Sequence, residues 1–292
     1  MKERNASILL AAVIIARASS YYFIKLGMES METFNLLSTR FFLATALLAI
    51  FFFKQLFPMT RSTFRHGFVL GILFFGVMAF EFKGLLSAEA STVAFLENTS
   101  IVLVPLILAV LSRTFPDRWS LVGVAITLVG VAFLTGRDGG INLSIGEIYA
   151  LCSALCYAAV IIMTAKYAAT DDTFQLGFLQ VFWIFVYSTA ATFLFETPHL
   201  PRTGVEWWVI VVLAVVCTGF GFTLQPVAQK YVSTQRAGMF CAFNPLCATI
   251  MGITLLGEVL TPYKIVGIVC ILLGLFLPIW MENRKPRNRA AS

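Results

Sequence analysis

Residues 87–100, SAEASTVAFLENTS, and residues 232–245, VSTQRAGMFCAFNP, both lead from a polar start through an apolar run into a short polar interruption. Their separation lies within one residue of 144, the offset at which Gly123 and Gly130 return as Gly267 and Gly274. Glycine pairs alone are common at close helix contacts. Two unrelated features sharing one offset mark an internal repeat that divides the chain into residues 1–138 and 139–292.

Around these stretches the chain is apolar almost throughout. Of its 292 residues 59% are hydrophobic and 12% charged, whereas a soluble domain carries about 25% charged residues. A span of roughly 20 apolar residues crosses a bilayer. Such stretches occur at 148–165, 173–195, 207–229, 237–257 and 265–281 in the second half, and at about 5–28, 34–54, 64–84, 91–112 and 118–136 in the first. The sequence therefore predicts an all-α membrane protein of ten transmembrane helices, with no room for a separate soluble domain. Five spans per copy place the copies in opposite orientations, the inverted repeat on which alternating-access carriers are built.

The net charge of +6 reflects loop asymmetry and not a nucleic-acid surface. With the amino terminus in the cytoplasm, the inner segments hold 14 Lys and Arg and the outer ones only Lys83, Arg137, Arg202 and Lys264. Both termini are then expected inside, in a bacterial cytoplasmic membrane. The amino-terminal MKERNASILLAAVIIARASS imitates a signal peptide. The apolar pattern resumes directly after it, so it reads as a retained first helix. All six cysteines lie in apolar runs without a metal or disulfide spacing and read as packing residues.

Ser19-Ser-Tyr-Tyr-Phe-Ile-Lys-Leu-Gly27, Thr39-Arg-Phe41, Asn244-Pro-Leu246 and Leu255-Leu-Gly-Glu258, in this order across ten spans, resemble the EamA-type members of the drug/metabolite transporter superfamily. The resemblance covers nearly the whole chain. It implies a 5+5 inverted repeat and a central cavity lined mainly by helices 1, 3, 4, 6, 8 and 9. Small organic solutes would move through it, often outward. Two departures stand out. The family usually has Trp-Gly where this chain has Arg17-Ala18, and the counterpart of Gly257-Glu258 after helix four reads Arg113-Thr114. In the short four-helix multidrug branch a membrane glutamate stands eight residues before a lysine; eight residues before Lys25 stands Arg17.

Charges inside the spans are the next signal. Arg17 lies near mid-membrane, where a guanidinium costs at least about 2.5–3.5 kcal/mol unless paired or hydrated. It is a candidate for binding a carboxylate through its planar fork of donors, or a structural partner of Glu97. Glu97, followed by Asn98, is a candidate for pairing, for binding an ammonium group or for proton coupling. Arg40 is expected to snorkel from the outer end of helix two in a structural role. Glu81, Lys83, Glu89 and Glu258 read as a solvated outer rim.

Further cavity candidates are Ser20 and Tyr21 on helix one, Phe80 on helix three, and Tyr157 on helix six, 140 residues after Arg17. Ser153 and Thr164 would share a cavity face with Tyr157. On helix eight Thr218, Phe222, Gln225 and Gln229 recur at helical spacing on one face. Asn244 precedes a proline break in helix nine. Trp183 and Tyr187 read as packing aromatics.

No catalytic, metal or cofactor signature is present. The two histidines, His66 and His199, are expected in loops, and neither HExxH nor a Gly-Lys-Ser/Thr phosphate loop occurs. A channel would show a continuous polar path. The expectation is a secondary-active, alternating-access exporter of an amino acid or other carboxylate-bearing solute, with Glu97 as the proton carrier. An organic-cation exporter that uses Glu97 with a structural Arg17 is the first alternative, and a non-transporting scaffold or receptor the second. Its expected partners are a small-molecule substrate and membrane lipid, with no nucleic acid; monomer and homodimer are equally open.

Overall fold

The computed structural model describes residues 3–137, 140–141, 143–221, 231 and 243–282. The helices in chain order are α1 (Glu3–Gly27), α2 (Thr33–Leu56), α3 (Arg61–Ser87), α4 (Ala90–Asn98), α5 (Ser100–Ser112), α6 (Arg118–Thr135), α7 (Ile145–Tyr167), α8 (Thr173–Phe195), α9 (Gly204–Val211), α10 (Asn244–Leu256) and α11 (Pro262–Glu282). A π-helical segment, Val212–Phe220, continues α9. Two-residue strands β1 (Gly136–Arg137) and β2 (Gly140–Ile141) form a small antiparallel pair between α6 and α7, an element the sequence did not announce.

Among the described residues seven helical stretches are long and apolar enough to cross a membrane, with α4 and α5 together forming one of them. Three shorter apolar helices, Gly204–Phe220, Asn244–Leu256 and Pro262–Pro278, accompany them. Helices suit this environment because every backbone donor and acceptor must be satisfied within the segment. Their starts are marked by side chains that take up the first free N–H groups. Thr60 caps α3 and Asp172 caps α8, while Ser144–Glu147 and Thr203–Glu206 form capping boxes on α7 and α9.

The break between α4 and α5 falls in the polar stretch of the repeat. Asn98 Nδ2 donates to Ala94 O at 2.8 Å and Thr99 Oγ1 to Leu96 O at 2.6 Å. These side chains compete for helical carbonyls and bend the segment.

Helices α6 and α11 run antiparallel through the four repeat-marking glycines. A Cβ on Gly130 would come within 2.7 Å of Ile271 N and 2.8 Å of Gly267 O; one on Gly123 would meet Gly274 O at 2.7 Å. The two backbones therefore touch where no side chain intervenes. Helix α2 packs antiparallel on α8, with Ser38 hydroxyl 2.8 Å from that of Thr189 and Phe42 ringed against Phe185. Helix α3 packs on α7, where Ser153 Oγ donates to Val77 O at 3.1 Å. This commits Ser153 to helix packing, not to a cavity face.

One end of the bundle is laced by carboxylates that the sequence reading placed on a solvated rim or did not single out. Glu258 accepts from Ala90 N at 2.5 Å, Ser91 N at 3.2 Å and Ser91 Oγ at 2.6 Å, capping α4 from across the bundle. Its side chain is buried, so the rim assignment is corrected. The local cause is the preceding Gly257, whose φ of 68° turns the chain sharply as α10 ends and sends the carboxylate back over Gly252. Glu89, also expected on the rim, pairs with Lys264. Glu196 caps α2 through Phe34 N at 2.9 Å and Asn35 N at 2.8 Å. At the opposite end Asp171, between α7 and α8, accepts from Thr63 Oγ1 at 2.7 Å and meets His66 Nδ1 at 2.7 Å. The hydrogen bond from Thr63, with those of His66 and Thr170, holds the Asp171 carboxyl below the usual aspartate range.

Candidate functional site

Four charged residues lie at similar depth on four different helical segments. Measured along the helices at 1.5 Å per residue, Arg17 stands about 15 Å from the Gly27 end of α1 and Arg40 about 10 Å from the start of α2. Glu81 is about 9 Å from the end of α3 and Glu97 about 10 Å from the start of α4. All four helix ends belong to the laced side of the bundle. Common depth on helices that pack together brings the side chains into one neighbourhood: Arg17 lies within electrostatic range of Glu81, Glu97 and Arg40, and Glu81 within range of Glu97 and Arg40.

Tyr21, one turn beyond Arg17 on α1, lies among Arg17, Glu81 and Glu97. It is 4% exposed, and its hydroxyl donates to Glu97 Oε2 at 3.3 Å. Glu97 itself is 7% exposed.

Two expectations are corrected here. Arg40 is 4% exposed and does not snorkel. Its Nε donates to Thr218 Oγ1 at 3.0 Å and its guanidinium lies 5.1 Å from the Phe41 ring centre. Helix α2 begins at Thr33, so Arg40 is two turns inside, too deep for the side chain to reach the interface. Glu81 is not on a rim either: it is 3% exposed, because α3 continues to Ser87 and encloses it. Among the described residues Glu81 has neither a hydrogen bond nor an ion pair within 4.0 Å. A charge more than a turn inside an apolar helix was the available signal, obscured by ending helix three at residue 84.

The π-helical segment explains how Thr218 reaches Arg40. Thr218 Oγ1 donates to Leu213 O at 2.9 Å, five residues back, and the wider turn carries Cys217 and Thr218 toward α1 and α2. Such widened turns recur at functional sites. Gly221 lets the stem of Arg17 lie against the same segment, since a Cβ there would meet Arg17 Cγ at 2.9 Å.

The remaining predicted residues distribute unevenly. Ser20 is half-buried beside Tyr21. Tyr157 packs edge-on against Phe74 at 5.9 Å and lies within range of Tyr21. Phe80 stacks on Tyr149 at 6.1 Å, nearer the laced end. Asn98 is buried, with its amide N–H committed to Ala94. Asn244 opens α10, and its Oδ1 is buried without a partner among the described residues. Phe222, Gln225 and Gln229 lie outside the described residues.

Residues 4–136 and again 144–280 match the model of the EamA-like transporter family. The chain belongs to the EamA-like transporter family. An uncharacterized transporter of Archaeoglobus fulgidus is 30% identical over 95% of this chain and 86% of its own length. The uncharacterized transporter YetK of Bacillus subtilis is 24% identical over 98% of this chain and 89% of its own. A solved crystal structure shares the fold with a TM-score of 0.67 at 18% identity, covering 97% of this chain and 99% of that one. The EamA protein described here is thus an integral membrane transporter, not an enzyme.

Proposed function

We propose that this EamA transporter is a secondary-active exporter of an amino acid or another carboxylate-bearing metabolite, working by alternating access in a prokaryotic cytoplasmic membrane. The observation that carries the reading is the gathering of Arg17, Glu81 and Glu97 around Tyr21, with Arg40 beside Arg17 and Glu81, at depths within about one helical turn of each other. Two cations and two carboxylates suit a zwitterion: the fork of Arg17 faces a carboxylate, and a buried glutamate faces an ammonium group. An all-lipophilic guest would gain nothing from them.

Ten spans arranged as a 5+5 inverted repeat, with both termini cytoplasmic, complete the proposal. Support comes from the family model matching the chain twice and from contacts between repeat-related helices, α6 with α11 and α2 with α8. Energy would come from the solute gradient or from protons taken up by Glu97, with Glu81 now a second carrier of equal burial.

A second reading has its own observation. Glu81 is buried without a direct partner among the described residues, which suits an organic cation, with Arg17 then structural. A thermal-shift screen separates the two, because a ligand of the folded state raises its melting temperature. Purified protein in detergent is titrated with amino acids, organic anions, quaternary ammonium compounds and nucleotide sugars, alongside Arg17→Ala, Glu81→Gln and Glu97→Gln. Stabilisation by amino acids or carboxylates that disappears in Arg17→Ala is the expected result. Stabilisation by cations alone, dependent on Glu81 or Glu97 and indifferent to Arg17, overturns the anion reading. In proteoliposomes, Glu97→Gln and Glu81→Gln that both leave the pH dependence of transport unchanged would remove proton exchange.

A further inference from the structure

Two cavities meet at the start of α3. One, of about 720 Å³, is lined by Arg61, Arg65, His66, Phe68, Tyr167 and Trp183. The other, of about 610 Å³, is an apolar groove between α3 and α8 lined by Phe57, Phe64, Phe178, Leu179 and Phe182. Arg61, Phe64 and Arg65 belong to both, so a cavity of mixed charged and aromatic lining opens directly into an apolar groove.

The charges there are unequally committed. Asp171 is held by Thr63, His66 and Thr170, and Asp172 is held by Phe174 N and Gln175 N at 2.9 and 3.0 Å. His66 is further fixed by stacking on Tyr167, 3.9 Å between ring centres. Both carboxylates of this corner are therefore used by the fold. Among the described residues Arg61 and Arg65, both exposed, have neither an ion pair nor a hydrogen bond. The first N–H groups of α3, at Arg61 and Ser62, add positive potential at the same place.

The position in the membrane selects the kind of guest. Helix α3 has 27 residues and spans about 40 Å, against an apolar core of about 30 Å. Its first turn carries Arg61 and Arg65 ahead of the uncharged run 67–80, which favours headgroup level for this end. A guest here must be anionic at one end and hydrocarbon at the other. The carboxyl-terminal stretch, residues 283–292, holds four basic residues and no acidic one, so its charge does not complement the cleft.

We infer that this cleft is a binding site for one anionic phospholipid, its phosphate between Arg61, Arg65 and the start of α3 and an acyl chain in the groove against α8. The site is separate from the Arg17–Glu97 cluster, and it rests on the membrane location of the chain, not on the substrate.

The test is native mass spectrometry and thermal shift on delipidated protein in detergent. The probes are phosphatidylglycerol, phosphatidylcholine with the same acyl chains, and glycerol 3-phosphate. Phosphatidylglycerol is expected to bind at one copy per chain and raise the melting temperature, with phosphatidylcholine and glycerol 3-phosphate at least tenfold weaker. The double variant Arg61→Gln/Arg65→Gln is expected to weaken phosphatidylglycerol about thirtyfold, from about fivefold per arginine. Its lipid-free melting temperature should stay that of the unmodified chain. The pair Arg113→Gln/Arg118→Gln, outside the cleft, should leave the affinity alone.

Equal binding of the two lipids, equal binding of glycerol 3-phosphate, or full affinity in Arg61→Gln/Arg65→Gln overturns the inference. So does an equal loss in Arg113→Gln/Arg118→Gln, which would show general attraction to basic surface.

Discussion

Replacing Glu258 with alanine removes three hydrogen bonds at once from the start of α4: to Ala90 N at 2.5 Å, Ser91 N at 3.2 Å and Ser91 Oγ at 2.6 Å. Loss of a helix cap costs about 1 kcal/mol. Loss of a partly buried negative charge from a helix N-terminus adds roughly 1–2 kcal/mol. Lys25 Nζ, 4.0 Å from Glu258 Oε1, contributes little at that distance. The expected destabilisation is therefore about 2–3 kcal/mol. At about 2 °C per kcal/mol for a chain of this size, the melting temperature should fall by roughly 5 °C. Glu258→Gln keeps an acceptor and loses the charge, and should fall by about half as much. A double-mutant cycle with Ser91→Ala isolates the shortest side-chain contact, whose coupling should be about 1–2 kcal/mol. A fall below about 1 °C for Glu258→Ala, or no coupling with Ser91→Ala, refutes the cap as a structural fastening.

Gly130→Ala should destabilise by about 1–3 kcal/mol, because the added Cβ meets the α11 backbone at 2.7 Å and the helices must part; Gly177→Ala, with open space around it, is the control in the same thermal unfolding series. Arg113 holds a left-handed φ of 52° at the end of α5, so Arg113→Gly should stabilise by roughly 0.5–1 kcal/mol, measured as a rise in melting temperature. Asp171 has its folded pKa lowered, so its bonds stabilise the protein fully above the unfolded aspartate value of about 3.9 and less as pH falls through the folded value. Melting curves of the unmodified chain and Asp171→Asn should accordingly differ at pH 7 and converge as the pH drops well below 4.

Much of the helical architecture was legible because lipid imposes a coarse rule: long uncharged stretches become helices, and the glycines of α6 and α11 bring two backbones together. Arg17 and Glu97 were legible for the same reason, as charges that apolar surroundings do not tolerate idly. Arg40 and Glu81 were misplaced because their depth depends on where α2 begins and α3 ends, and boundary errors of a few residues move a charge by a turn. Glu258 was misread for a different reason. Its partners, Ala90 and Ser91, lie 167–168 positions earlier, and capping across such a distance leaves no local pattern. The bond between Arg40 and Thr218 depends on a π-helical turn, which hydrophobic periodicity does not announce. The lipid cleft combines Arg61 and Arg65 with α8 aromatics more than 110 positions later, and only the packing of α3 on α8 joins them.

The seam between α6 and α11 carries a genetic consequence. At Gly123, Gly130, Gly267 and Gly274 the neighbouring helix leaves room for a hydrogen atom and nothing larger. Any change at the first or second base of a glycine codon introduces at least a methyl group, or ends the chain. No synonymous neighbour outside the third base exists to soften the substitution. These codons are therefore sites of low mutational tolerance, where every first- or second-base change costs stability irrespective of which solute the protein carries.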